Sequence, residues 1–237
     1  MLLLFLPAVL CAAGPLENVR RARALVGAEV WSRIIRIENT NKRSVYPRVT
    51  VALVFEFGGI LWFYTDTDGT QSFSLRKNNL AAEKAGFGPL LRDIEPGFSS
   101  YTILPDNPPF TRQFERTEAP PNACFLESVA ELRKLSTRGE LVLSARLLSY
   151  YIKKSDGLLG HTVLTYKTPR GTFVVDPLVS ARPTEVKRGN EGDALSLARA
   201  LRPDQAVAQA RWVPTGFSST APLAVSATTA RPANRPG

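Results

Sequence analysis

The chain has 237 residues, 44% of them hydrophobic, and carries 30 Lys and Arg against 21 Asp and Glu, for a formal net charge of +9. That length accommodates one large domain or two small ones around a real core, and the composition excludes a fibrous or wholly disordered chain. The positive charge is spread as arginines through "NVRRARAL" (18–25), "WSRIIRI" (31–37) and "TNKRSVYPR" (40–48); with no RNP-type aromatic motif, zinc finger or basic heptad beside it, specific nucleic-acid recognition is set aside, and non-specific attraction to anionic polymers or lipid stays open.

The first segment, "MLLLFLPAVLCAAG", is apolar from Leu2 to Ala13. It is shorter than the roughly 20 residues a membrane-spanning helix needs. It reads as the h-region of a secretory signal, with small residues before Gly14, although the basic n-region is missing. A lipoprotein box around Cys11 is the alternative, with Leu10 a poor match directly before the cysteine. The expected location is therefore secreted or periplasmic, with no transmembrane helix. Cleavage after Ala13 would remove Cys11 and leave one cysteine, Cys124, which has no partner for an internal disulfide.

Residues 16–37 read as helix at their start, with Leu16, Val19, Ala22, Leu25 and Val26 three and four apart. Gly27 and the β-branched run at Ile34 leave its end open. "RVTVALVFEF" (48–57), Gly58-Gly59 and "ILWFYTDTDGTQSFSL" (60–75) predict a hairpin and a further turn at Asp68-Gly69. The run "LWFYT" (61–65) is read as core packing, with a groove wall as the alternative. A short helix is expected near 78–86, and prolines 105, 108, 109, 120 and 121 mark a wrapping loop. "NACFLESVAELRKL" (122–135) has the stripe of an amphipathic helix, with Asn122 a suitable N-cap and Cys124 in the first turn. "ARLLSYYI" (145–152) predicts a strand and residues 160–177 a hairpin. "GDALSLARAL" (192–201) and "DQAVAQARW" (204–212) predict helices on either side of Pro203, and residues 213–237 an Ala-, Pro-, Ser- and Thr-rich tail of disordered composition.

The chain has one histidine, His161. A four-residue loop at "KTPR" (167–170) would set His161 directly across from Asp176, on the same face of the hairpin. A cysteine at a helix N-terminus has its thiolate favoured by unpaired N–H groups and the helix dipole. An imidazole can then shuttle the proton while a carboxylate fixes its tautomer. Taken singly, Cys124 is more often a small buried hydrophobe than a nucleophile, His161 is more often structural, and Asp176 before a proline is a common strand end. Their order at three element boundaries is what points to chemistry. Other chemistries lack their parts: zinc wants three or four ligands, no G-x-S-x-G is present, "SLRK" (74–77) stands without companion motifs, and no phosphate- or dinucleotide-binding glycine pattern occurs.

The pieces "NACFLESVAEL", "GHTVLTY" and "FVVDP", with Cys, His and Asp separated by 37 and 15 residues, resemble the transglutaminase-like and papain-like superfamily of cysteine peptidases and acyltransferases. The resemblance covers residues 122–178, about a quarter of the chain. Phe125 stands where many members carry tryptophan, and the papain signature around the cysteine is absent. The resemblance implies an α+β fold in which the cysteine helix packs on an antiparallel sheet, with Cys124 as nucleophile, His161 as general acid and base, and Asp176 as its orienting partner. Gln113 and Asn122 are candidates for the amide that serves the oxyanion. The implied organisation is a leader over 1–13, an N-terminal helix and hairpin region over 14–112 packed on the core, a cysteine-protease-like core with a C-terminal helix over 113–212, and the tail. The implied activity is hydrolysis or transamidation of amide bonds in a protein or peptide through a thioester, with no metal or organic cofactor. A catalytically inactive envelope or scaffold protein that keeps the fold for binding is the alternative. The oligomeric state stays open.

Overall fold

The computed structural model describes residues 14–72, 86–105, 119–137, 140–155, 157–187 and 192–215. The leader (1–13), the S-x-x-K match at 74–77, Gln113, the expected helix near 78–86 save for Gly86, and the tail beyond Thr215 lie outside them. Among the described residues the architecture is α+β, with two five-stranded antiparallel sheets and four helices.

Chain order is α1 (Pro15–Val26), β1 (Ser32–Asn39), β2 (Val49–Phe57), β3 (Ile60–Thr65), β4 (Gly69–Ser72), α2 (Gly88–Ile94), β5 (Phe98–Ile103), α3 (Cys124–Thr137), β6 (Ser144–Lys154), β7 (Gly157–Thr168), β8 (Gly171–Asp176), β9 (Ser180–Glu185), α4 (Ala194–Leu201) and β10 (Val207–Val213). The first sheet is ordered β4-β3-β2-β1-β5 and the second β10-β6-β7-β8-β9.

Helices α1 and α3 lie between the two sheets. Val19, Ala22 and Val26 of α1 and Leu126 and Val129 of α3 share one core with Phe55 and Tyr64 of the first sheet and Leu147 and Leu164 of the second. The opposite face of the first sheet is covered by α2, through Leu90 and Leu91. The opposite face of the second is covered by α4, through Leu197 and Ala198. Burial on both faces explains the apolar run of β1, whose Ile34 faces the central core while Ile35 and Ile37 join the α2 cluster. The "LWFYT" run splits the same way. Trp62 and Tyr64 look toward α3, and Leu61 and Phe63 toward α2. It is core packing, with Trp62 and Phe125 ring centroids 4.3 Å apart.

The β2–β3 hairpin is closed by Gly58 and Gly59 between the paired Phe57 and Ile60, both glycines at positive φ, 62° and 74°. This is the backbone of a primed two-residue turn, which L side chains adopt only under strain. The two glycines differ in surroundings: a Cβ on Gly58 would lie 2.2 Å from the Pro214 carbonyl oxygen, and one on Gly59 would meet nothing within 4 Å. Gly58→Ala is expected to cost about 2 kcal/mol and Gly59→Ala about 1 kcal/mol. Urea unfolding midpoints check this, and equal losses would mean that the turn does not abut Pro214.

Three expectations are corrected here. Residues 204–212, expected to be helical, contain strand β10, antiparallel to β6 from Val207–Ile152 to Val213–Leu147. Ala-Gln-Ala-Arg favours helix locally, but the open edge of β6 supplies a ladder of backbone partners that outweighs a few tenths of a kcal/mol per residue of propensity. Val213, expected in the tail, is buried at the end of that strand. The β7–β8 turn also has two residues rather than four: Thr168 pairs Gly171 and Leu164 pairs Val175. The register therefore points Asp176 at Val163, two residues past His161 in the chain. A shift of two keeps every side chain on its face.

Candidate active site

His161 and Asp176 meet across this diagonal. His161 Nε2 lies 3.1 Å from each Asp176 carboxylate oxygen. The imidazole is 7% exposed, so little water competes for the contact. Its face is set by Tyr150, its partner on β6, which meets it edge-on at 5.4 Å between ring centroids.

Cys124 is the first residue of α3 and is partly exposed. Three contacts bring it to the histidine. Ser128, one turn into α3, has its Oγ 2.8 Å from the Cys124 carbonyl oxygen and 3.0 Å from the Thr162 carbonyl oxygen, so its single proton bridges helix and strand. Beyond the Leu164–Val175 pair, β7 has no β8 neighbour in the ladder, and the first turn of α3 takes up the buried Thr162 carbonyl. The loop before the helix is tied to the first sheet, with Tyr64 Oη donating to the Pro121 carbonyl at 2.7 Å. The outcome sets the Cys124 side chain close enough to the imidazole to act on its titration. Since Nε2 faces the carboxylate, Nδ1 is the ring nitrogen left for sulfur.

Electrostatics follow from that sandwich. Burial pushes the His161 pKa down, but hydrogen bonds to Asp176 and Cys124 and their negative charge outweigh it and raise it to about 9. Burial likewise opposes the charged form of Asp176, and His161 and Arg202 overcome it, holding the carboxyl below its ordinary value. Arg202, the residue after α4, donates from Nη2 to Asp176 Oδ2. The Leu178 backbone N–H donates to Oδ1 at 3.2 Å.

Asn122 does not serve as the helix cap or as the oxyanion amide. It sits at φ 55°, outside the helix, and its Nδ2 donates to the Asp66 and Thr67 carbonyls at 3.0 and 3.4 Å. Both amide protons are thus committed to holding the β3–β4 turn. That turn forms one wall of a cleft of about 640 Å³ whose lining includes Cys124 and His161. Thr67, Asp68 and Gln71 come from this wall, and Tyr151, Leu158 and Leu159 from β6 and β7 opposite. The thiol and imidazole therefore open onto a groove between the two sheets rather than into a sealed core.

Three neighbours of the site went unnamed by sequence reasoning. Arg202 had no local signal, since α4 reaches Asp176 only through the tertiary fold. Tyr150 is the cross-strand partner of His161, a pairing that needed the β6–β7 register. Glu127 follows Cys124 by three residues, a helical spacing that would have flagged it. Its Oε2 is buried without a hydrogen-bond partner, and burial together with the Asp176 charge raises its carboxyl pKa against the opposing pull of His161.

Among the described residues, no group of three or more His, Cys, Asp or Glu is placed to hold a metal ion, and no helix is long and apolar enough to cross a membrane. Comparisons with protein-family models, with curated proteins and with solved structures find no match for this chain.

Proposed function

We propose that the protein is a cysteine-dependent acyl-transfer enzyme with a transglutaminase-like or papain-like core, acting outside the cytoplasm on amide bonds of a protein or peptide. The observation that carries this reading is a buried imidazole held between a cleft-lining cysteine and an Arg-anchored carboxylate.

With His161 charged near neutral pH, the sulfur beside it is paired with a cation, as nucleophilic thiolate chemistry requires. The thiolate attacks the acyl carbon and the carbonyl π electrons move to oxygen. The first N–H groups of α3, which have no intrahelical partners, face the developing oxyanion, the Cys124 N–H foremost. Collapse expels the amine, which takes the His161 proton and leaves a thioester beside a neutral imidazole. Water or a second amine then attacks the thioester and gives its proton to His161. Cleavage of the C–S bond returns the thiolate and yields an acid or a new amide. Asp176 holds Nε2–H throughout, keeping Nδ1 aimed at sulfur.

The test is alkylation of the full chain by iodoacetamide at pH 7, read for the Cys124 peptide by mass spectrometry. We expect Cys124 to react at least about tenfold faster than in His161→Ala. Equal rates in the two proteins would favour the inactive scaffold instead.

A further inference from the structure

Eight large apolar residues are exposed among the described residues, and four of them gather at one end of the second sheet. In an antiparallel sheet the β6–β7 and β8–β9 turns emerge at the same end. Beside the first, at the start of β7, lie Leu158 and Leu159, 54% and 51% exposed, and the second carries Leu178 and Val179, 62% and 69% exposed. None of the four belongs to a core cluster. The end is also where the site opens: Leu159 is two residues from His161, and the Leu178 N–H holds the Asp176 carboxylate.

The β6–β7 tip stands clear of the sheet. The β6–β7 ladder runs out to Lys154–Gly157, whereas β10 stops at Ile152 and β8 at Leu164. Exposed Lys153 lies across from Leu158, and Lys154 is exposed beside it. Arg182, at the start of β9, adds an exposed cation behind the second turn. Against these three cations the sequence around the two turns carries Asp156 and Asp176, and Asp176 is already paired with His161 and Arg202. Apolar tips backed by basic side chains, on a chain of net charge +9, match a surface with negative headgroups over hydrocarbon. Aliphatic side chains enter the interface, and lysine stems reach back to the headgroups.

We propose that this end of the second sheet docks on an anionic lipid bilayer, which sets the mouth of the Cys124–His161 cleft at the membrane surface. Docking is independent of the proposed chemistry and is measured without turnover.

The experiment is co-sedimentation of the full chain with vesicles of phosphatidylcholine alone or mixed with phosphatidylglycerol, combined with hydrogen exchange read by mass spectrometry. Binding to the mixed vesicles is expected, with slowed exchange over 153–160 and 177–180. Leu158→Ser/Leu159→Ser should weaken binding about tenfold or more, and Lys153→Glu/Lys154→Glu should weaken it and flatten its salt dependence. Binding that loses nothing in the leucine variant and protects neither turn overturns the proposal, because the chain then adsorbs by scattered charge or by another segment. Absence of vesicle binding overturns it as well. So does a concentration-dependent dimer that disappears in the leucine variant without any vesicle binding, which would make the rim a self-association surface.

Discussion

Replacing Asp176 by alanine is expected to lower the unfolding free energy by about 3 kcal/mol, because it leaves the half-buried Arg202 guanidinium without its anion and the buried His161 Nε2 without its acceptor. The carboxylate accepts from His161 Nε2, from the Arg202 guanidinium and from the Leu178 N–H, and its side chain is only 14% exposed. Arg202 is 22% exposed on its side chain and cannot simply rotate into bulk water to recover its solvation. Truncating one partner of such a pair costs more than the pair contributes, since the remaining charge stays desolvated. Arg202→Met should cost less, about 1 kcal/mol, because Asp176 keeps His161. In the double variant Asp176→Ala/Arg202→Met the two losses should not add, and the shortfall measures the coupling. Urea unfolding of the four proteins gives these numbers. A loss below 1 kcal/mol for Asp176→Ala would mean that the carboxylate is solvated and does not bind α4 to the β8 end. Asp176→Asn separates stability from chemistry. It keeps the shape and removes the charge, so it should cost less stability than alanine and still slow Cys124 alkylation, because His161 loses the anion that favours its charged form.

What could be read from the chain and what could not divide along the range of the forces involved. The β2–β3 hairpin and α3 were legible because their signals are local: Gly58-Gly59 between alternating strands, and a stripe of Phe125, Val129 and Leu132 at helical spacing. Cys124 opens α3 and Asp176 closes β8, boundaries that local patterns mark, whereas His161, expected at a strand start, lies four residues inside β7, because the β6–β7 ladder runs on to Gly157. Strand β1 was obscured because its isoleucines are buried on both faces, which erases the alternation that marks a half-buried strand. Strand β5, an edge strand with the mostly exposed pattern of FSSYTI, offered no periodicity at all. In β10, helix-favouring residues are held extended by the edge of β6 alone, a partner about 60 residues away in sequence. The two-residue error in the β7–β8 register left the site intact only because its parity was even. A one-residue error would have put His161 and Asp176 on opposite faces. Arg202 and the cleft wall from the β3–β4 turn depend on contacts between distant segments, and no local pattern announces them.

Stability should fall as pH rises from about 7 to about 9, and His161 should be responsible. The folded-state pKa of about 9 lies above the value near 6.5 of an unfolded histidine. Between those values the native protein holds a proton that the unfolded chain has released, so unfolding is favoured by raising the pH. The stabilisation is fully present below the unfolded value and is lost as pH climbs through the folded one. One proton corresponds to a slope approaching about 1.4 kcal/mol per pH unit inside the window. Asp176 acts at the other extreme, since its folded pKa lies below the usual carboxylate value and its contribution disappears only on acidification through that lowered value. Urea unfolding at pH steps from 5.5 to 10 should therefore show a plateau at mildly acidic pH and a decline beyond 7. His161→Gln, neutral throughout, should flatten the decline. Cys124→Ala should shorten it, because the sulfur contributes part of the upward pull on the imidazole and its removal brings the folded pKa back toward 6.5. A decline that persists unchanged in His161→Gln would assign the proton elsewhere. It would also remove the imidazolium on which the proposed thiolate chemistry depends, since a neutral His161 would leave Cys124 beside an uncharged ring at the mouth of the cleft.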